Sequence, residues 1–166
     1  MVVSAAPESL VVRPIRPADA PLLEAGLARL SPQTVYRRFL SPKPRFSSSE
    51  LRYLTEIDGF DHVAVVAVLA DDPEAIVGVA RFVRLREAPD AAEAAIVVGD
   101  PFQGQGLGRE LGRRLGDEAR ERGVTRFTAT LLSDNVAAQR LFASISSRLE
   151  TRMQGGVREV EAVIAA

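Results

Sequence analysis

A run of glycines between a strand-like and a helix-like segment is where chemistry is most readable in this sequence. Gln103-Gly104-Gln105-Gly106-Leu107-Gly108 follows the β-branched-rich stretch Glu93 to Val98 and its punctuation, Gly99-Asp100-Pro101. Leu107, Leu111, Leu115 and Ala119 then recur every four residues, the pattern of one face of an amphipathic helix. Glycine lets a backbone come close to a ligand. The N–H groups of a helix's first turn point outward, and the helix dipole there favours an anion. Strand, glycine bend and helix together predict a phosphate cradle built from main chain.

Other chemistries are excluded by what is missing. The sequence has no cysteine, which removes disulfides, thiolate metal sites and a cysteine acyl-enzyme. His62 is the only histidine, so neither a histidine metal cluster nor a serine–histidine dyad is expected. No metal is predicted. Gly104-x-Gly106-x-Gly108 lacks the G-x-G-x-x-G spacing of a dinucleotide fold, and no G-x-x-x-x-G-K-[ST] loop exists. A formal net charge of −1 over 166 residues gives no field to recruit nucleic acid or an anionic membrane. Lys43 is the single lysine among otherwise arginine cations. The longest apolar run, Val63 to Ala70, is too short to span a bilayer, and MVVSAAPESL does not read as a signal peptide. A reduced, cytoplasmic setting is the expectation.

The elements that must position the bend follow from the rest of the chain. Residues 1–8 read as a loose tail and 9–166 as one domain. Leu10 to Ile15 is a first strand. Asp19 is expected to cap a helix burying Leu22, Leu23, Leu27 and Leu30, and Ser31-Pro32 to start another through Phe39. In that second helix, Tyr36 and Phe39 read as core packing. A third short helix begins at Ser47 to Ser49 and ends near Gly59. Strands are expected over His62 to Ala70, Ala75 to Arg86 and Glu93 to Val98. After the long helix, stopped by Gly123, come a strand over Thr125 to Leu132 and a helix to Ser144. Arg148 to Gln154 and Val157 to Ile164 flank Gly155-Gly156 as a hairpin. The sum is one mixed α/β domain.

Two motifs carry a likeness to a known family. Val98-x4-Gln103-x2-Gly106-x-Gly108, between the fourth strand and the long helix, resembles the coenzyme A pyrophosphate loop of the GNAT N-acyltransferases. Asn135-x2-Ala138-x2-Leu141-Phe142 resembles that family's second helix motif. The segment from Ser31 to Leu69 is similar to the GNAT domains of bacterial protein-lysine acetyltransferases, a branch often fused to other domains. The resemblance implies a mixed, mostly antiparallel seven-stranded sheet flanked by helices.

It also implies acetyl-CoA as co-substrate, lying between splayed fourth and fifth strands. The backbone of Ile96, Val97 and Val98 would then pair with the pantetheine arm. The amides of Gln103, Gly104, Gln105, Gly106, Leu107 and Gly108, with Arg109, would hold the pyrophosphate. Asn135 would fix the arm from the other side, or serve as a plain helix N-cap, or both. Acetylating an amine needs its neutral form. Deprotonating a lysine of pKa about 10.4 at pH 7 costs about 4.6 kcal/mol, against about 1.4 kcal/mol for an α-amine near 8. A base therefore matters most for lysine. Glu93 matches the fourth-strand glutamate of protein-lysine members, and its apolar neighbours are expected to desolvate it and raise its pKa.

Phe142 departs from the tyrosine that usually protonates the leaving thiolate. A thiol of pKa near 8.5 leaves as thiolate at about 2 kcal/mol above neutral at pH 7, so the loss is modest; Ser133 and Ser144 are weak substitutes. The favoured reading is acetyl transfer to an amine, with a protein lysine as partner. A small-molecule amine acetyltransferase and a non-catalytic acetyl-CoA-binding module stay open, as does a homodimer.

Overall fold

Central strands with apolar residues on both faces need cover on both sides. The structure, a computed structural model that describes residues 9–166, supplies it with helices. Along the chain come β1 (Leu10–Pro14), α1 (Ala20–Arg29), α2 (Pro32–Phe39) and α3 (Ser48–Thr55). Then follow β2 (His62–Leu69), β3 (Asp72–Arg84), β4 (Ala91–Val98) and α4 (Leu107–Glu121). The chain ends with β5 (Arg126–Leu132), α5 (Val136–Ser144), β6 (Ser146–Gln154) and β7 (Val157–Ile164). The seven strands form one sheet in the order β1-β2-β3-β4-β5-β7-β6, antiparallel except for the β4–β5 pair. That parallel pair requires a crossover, which α4 provides. The tail expected over residues 1–8 lies outside the described residues.

Helix α4 buries Leu107, Leu111, Leu115 and Ala119 against one sheet face, where Val65, Phe82, Phe127 and Val160 meet them. Leu111 and Leu115 are fully buried. Each contributes roughly 2 kcal/mol by leaving water. On the opposite face α1 places Leu23 over Ala64, Val66, Ile76 and Val79. Gly108, Gly112 and Gly116 run down the sheet side of α4. A Cβ at Gly108 would come 3.4 Å from Leu141; at Gly112, 3.3 Å from Ile96 and Ile145; at Gly116, 3.1 Å from Ile164. The stripe lets α4 sit close to the sheet and to α5, which offsets the roughly 1 kcal/mol that each mid-helix glycine costs.

Several local expectations are corrected. Asp19 precedes α1 but its carboxylate does not cap it; it forks onto Arg13 at 2.7 and 2.8 Å and accepts from the Arg16 N–H. A charged partner outcompetes a helix amide. Tyr36 is 45% exposed, and the residue α2 buries is Val35; Phe39 is half-buried, edge-on to Phe46 at 5.8 Å. Helix α3 stops at Thr55, before Gly59, because Asp58 Oδ1 gathers the N–H groups of Phe60, Asp61 and His62 into a turn. Strand β3 begins at Asp72, three residues before the expected Ala75, as a bulge near Val68 keeps β2 and β3 paired.

Candidate active site

Strands β4 and β5 are joined only at Ala91–Arg126, Ala92–Phe127 and Glu93–Thr128. Beyond Glu93 they part, leaving Ala94 to Val98 bonded to β3 and Ala129 to Leu132 bonded to β7. The result is a wedge of about 390 Å³ whose walls include Ile96, Val97, Val98, Thr130, Leu141 and Phe142. One edge of β4 thereby offers main-chain groups to an incoming extended chain, as an unpaired strand edge does.

The glycine bend closes one end of this wedge. Gly99 N–H donates to Val77 O, a single 3-10 turn covers Asp100–Phe102, and Gln103 N–H donates to Asp100 O at 3.3 Å. Gly104 and Gly106 then adopt φ of +74° and +86°, a conformation that favours glycine. Gly106 is the N-cap residue of α4 and supplies no capping side chain. Among the described residues no acceptor takes a hydrogen bond from the amides of Gly104 to Arg109. The glutamines do not plug the gap: Gln103 Nε2 donates to Val98 O and Thr34 Oγ1, and Gln105 Nε2 to Pro101 O. Of the expected cradle, Gln103, Gly104, Gly106, Gly108 and Arg109 line the cleft and Gln105 and Leu107 do not, while the Gln103 amide is already engaged. Uncapped donors beside a strand edge fit a diphosphate carrying an amide-rich arm.

The family model for the acetyltransferase (GNAT) family matches residues 33–145, from α2 through α5. The chain belongs to the GNAT acetyltransferase family. Acetyltransferase Pat of Mycolicibacterium smegmatis is 38% identical over 135 residues, covering 81% of this chain and 40% of that protein. The L-2,4-diaminobutyric acid acetyltransferase of Streptomyces coelicolor is 36% identical over 100 residues, 57% of this chain and 56% of that enzyme. The chain spans about half the length, or less, of these two relatives. The crystal structure of the GNAT domain of S. lividans PAT superposes with a TM-score of 0.83 at 28% identity, covering 92% of this chain and 89% of that one. The likeness to the protein-acetyltransferase branch, drawn from the Ser31 to Leu69 segment, and the seven-stranded fold are both borne out.

Glu93 occupies the last paired position before the strands diverge, next to the vertex of the wedge, but it is not among the residues that line the cavity, whose β4 wall begins at Ala94. It is exposed. The desolvation expected from Ala92, Ala94 and Ile96 is not supplied, because side chains alternate along a strand and those three turn to the α4 face. Asn135 is buried and caps α5, its Oδ1 accepting from Ala138 N–H at 3.2 Å. It also lines the cleft, with its Nδ2 group free of any partner among the described residues. Phe142 lines the cleft and is buried, offering no proton. Ser144 reaches the cleft, but its hydroxyl donates to Leu141 O at 2.7 Å; Ser133 does not line it.

His62 turns out to be structural. It is buried against Tyr53, ring centroids 5.0 Å apart, and its Nε2 accepts from Arg81 Nη1 at 3.0 Å. An arginine only donates, so the ring proton sits on Nδ1. Burial first, then the Arg81 charge, pushes its pKa down to about 4.

Sequence reasoning missed the contribution of α2. Thr34, Arg37 and Arg38 line the cleft opposite α5. Their i, i+3, i+4 spacing on a helix that buries only Val35 was the available signal. Asp100 ties α2 to the bend, accepting from Ser31 N–H, Ser31 Oγ and Thr34 Oγ1 at 2.8 to 2.9 Å. Burial alone would raise the Asp100 pKa, yet these hydrogen bonds hold it below the usual carboxylate range. Arg38 lies near the Glu93 carboxylate; burial depresses its pKa and the Glu93 charge opposes that. Among the described residues no group of three or more histidine, cysteine, aspartate or glutamate side chains could hold a metal, and no helix is long and apolar enough to cross a membrane.

Proposed function

We propose that this chain transfers acetyl from acetyl-CoA to a protein lysine, with Glu93 as general base. The observation that carries the reading is the parting of β4 and β5 directly after the Glu93–Thr128 pair, with uncapped amides closing the other end. Gly104 to Arg109 bind the diphosphate, the free edge of Ile96 to Val98 orients the arm, and Asn135 Nδ2 donates to it from across the cleft. Acetyl-CoA supplies the activated acyl group. Glu93 accepts a proton from the incoming ammonium, directly or through one water, and the bound acceptor and thioester together exclude solvent from it. With Phe142 in place of a hydroxyl, the thiolate takes its proton from water.

Lysine is favoured over a small amine because the Ser31 to Leu69 segment resembles the protein-lysine branch of the family, and because Glu93 is open to solvent, where a protein surface can present a side chain. The Streptomyces coelicolor relative supports a small diamine-type acceptor as the second reading. Mass spectrometry after incubation with acetyl-CoA and a lysine-rich protein tests this directly. The single lysine of this chain keeps the enzyme's own background low. Glu93→Gln is expected to lower kcat by roughly 10²–10⁴-fold while leaving coenzyme A affinity intact. Transfer to small amines alone would end the lysine assignment, and unchanged turnover in Glu93→Gln would end the role of the base.

A further inference from the structure

A second cavity, of about 370 Å³, lies under α1 and α2 against β3 and β4, and the acetyl-transfer reading leaves most of its walls unused. It shares Arg38 and Val97 with the cleft. Its walls are otherwise mostly apolar, built from Leu23, Leu27, Phe39, Phe46, Leu54 and Val79 among others. Its size falls within the range of about 300–1,000 Å³ seen for small-ligand sites.

The two ends differ. At one, the polar groups are satisfied: Arg29 donates to Ile76 O, and Asp100 accepts from Ser31 and Thr34. At the other stand Arg38 and Arg81. Arg81 is 6% exposed and donates to Leu54 O at 3.1 Å and to His62 Nε2 at 3.0 Å, both neutral acceptors. Arg38 lies over the Phe39 ring at 4.7 Å. Among the described residues neither guanidinium has a carboxylate within ion-pair distance. Their mutual repulsion, after burial, helps push the Arg81 pKa down to about 10. Desolvated cations with no carboxylate close enough to pair are unfavourable, even with the Glu93 charge near Arg38, as is water held in an apolar groove. One kind of ligand relieves both.

We propose that this cavity binds a monocarboxylic acid with an apolar tail, its carboxylate held between Arg38 and Arg81 and its chain running toward the α1 side. A guanidinium fork matches a carboxylate in shape, and the Asp100 end would repel one, which fixes the orientation. Arg38 also faces Glu93, so an occupant that engages it alters the charge beside the acetyl-transfer vertex.

Titration calorimetry with decanoate on the full chain, already saturated with coenzyme A, tests the site. Decanoate is expected to bind with the cleft filled, at least about tenfold more weakly in Arg38→Gln, while decanol binds much more weakly than the acid. Gly26→Leu provides the second variant. Gly26 lines the cavity from α1, and a Cβ there meets only Ile76 O at 3.6 Å and Arg29 Nη2 at 3.8 Å. Its side chain would fill the groove and abolish decanoate binding while coenzyme A binding persists. Absence of decanoate binding, its displacement by coenzyme A, equal affinity for decanol, or undiminished binding in Gly26→Leu would each overturn the proposal.

Discussion

Asp100 and Gly106 are six residues apart in one bend, yet their polar surroundings are opposites. Around Asp100 the hydrogen-bonding groups are used within the chain: its carboxylate takes Ser31 and Thr34, and Gln103 reaches back to Val98 O. Around Gly106 the amides are left open, with glycine where three of the other four helices carry a side-chain cap. Helix α2 has Ser31, α3 has Ser47 and α5 has Asn135 in that position, each accepting from its own helix. The first region is a fastening, and the second is the diphosphate site we propose. Free donors are tolerable only because the fastening beside them holds the backbone still.

The sharpest way to break this contrast is to cap the open helix. Gly106→Asp brings a carboxylate to the exposed amides at a position of φ +86°. It repels a diphosphate and competes for its donors, so coenzyme A affinity should fall by about 100-fold or more. Calorimetry reads it, and retained affinity would show that the amides do not bind the ligand. Asp100→Ala attacks the neighbouring fastening instead. Losing hydrogen bonds to a charged group costs about 2–3 kcal/mol, so the denaturant midpoint should drop while coenzyme A binding weakens only severalfold. A binding loss as large as that of Gly106→Asp would erase the distinction between the two regions.

Much of this was legible because the signals are local. Leu107, Leu111, Leu115 and Ala119 name the buried face of α4 without help from the rest of the chain. The glycines of the bend name a positive-φ turn, and the Asn135 motif names a cap. Arg38 was illegible because its role depends on where α2 docks, and no pattern inside SPQTVYRRF states which strand lies opposite. Glu93 does lie on the fourth strand, as expected, but in other surroundings. Adjacency in sequence to alanines and valines suggested an apolar neighbourhood, whereas strand alternation sends those neighbours to the other face. Asp19 shows the same limit: a capping residue by position was claimed by Arg13 on β1, a partner six residues away across a turn.

Acid sharpens the contrast from outside the cleft. His62 has its folded pKa near 4, below the unfolded value of 6.5, because burial and Arg81 disfavour the imidazolium, with Asp58 opposing them. The unfolded chain therefore binds a proton that the folded chain refuses. Stability from this group is fully present above about pH 6.5 and is lost as pH falls toward 4, by about 3 kcal/mol in all. Parent and His62→Gln, compared by Tm at pH 7, 5.5 and 4.5, should diverge in that window, the parent falling further. Parallel curves would mean the ring is protonated in the fold. Since His62 lies outside the cleft, coenzyme A affinity should not follow this titration.

Asn135 tests whether one side chain can belong to both kinds of region. Its Oδ1 fastens α5 and the residue lines the cleft; in the proposed reading its Nδ2 meets the pantetheine arm, so the two ends of one amide divide the roles. Asn135→Ala removes both, at about 1 kcal/mol for the cap and a severalfold rise in the KM for acetyl-CoA. Asn135→Asp keeps an oxygen to accept from Ala138 and adds a charge favoured at a helix N-terminus, but it loses the donor. If the division holds, the Asp variant recovers the Tm of the parent and not its KM. Recovery of both would make Asn135 a cap alone; recovery of neither would mean that the buried site refuses a charge.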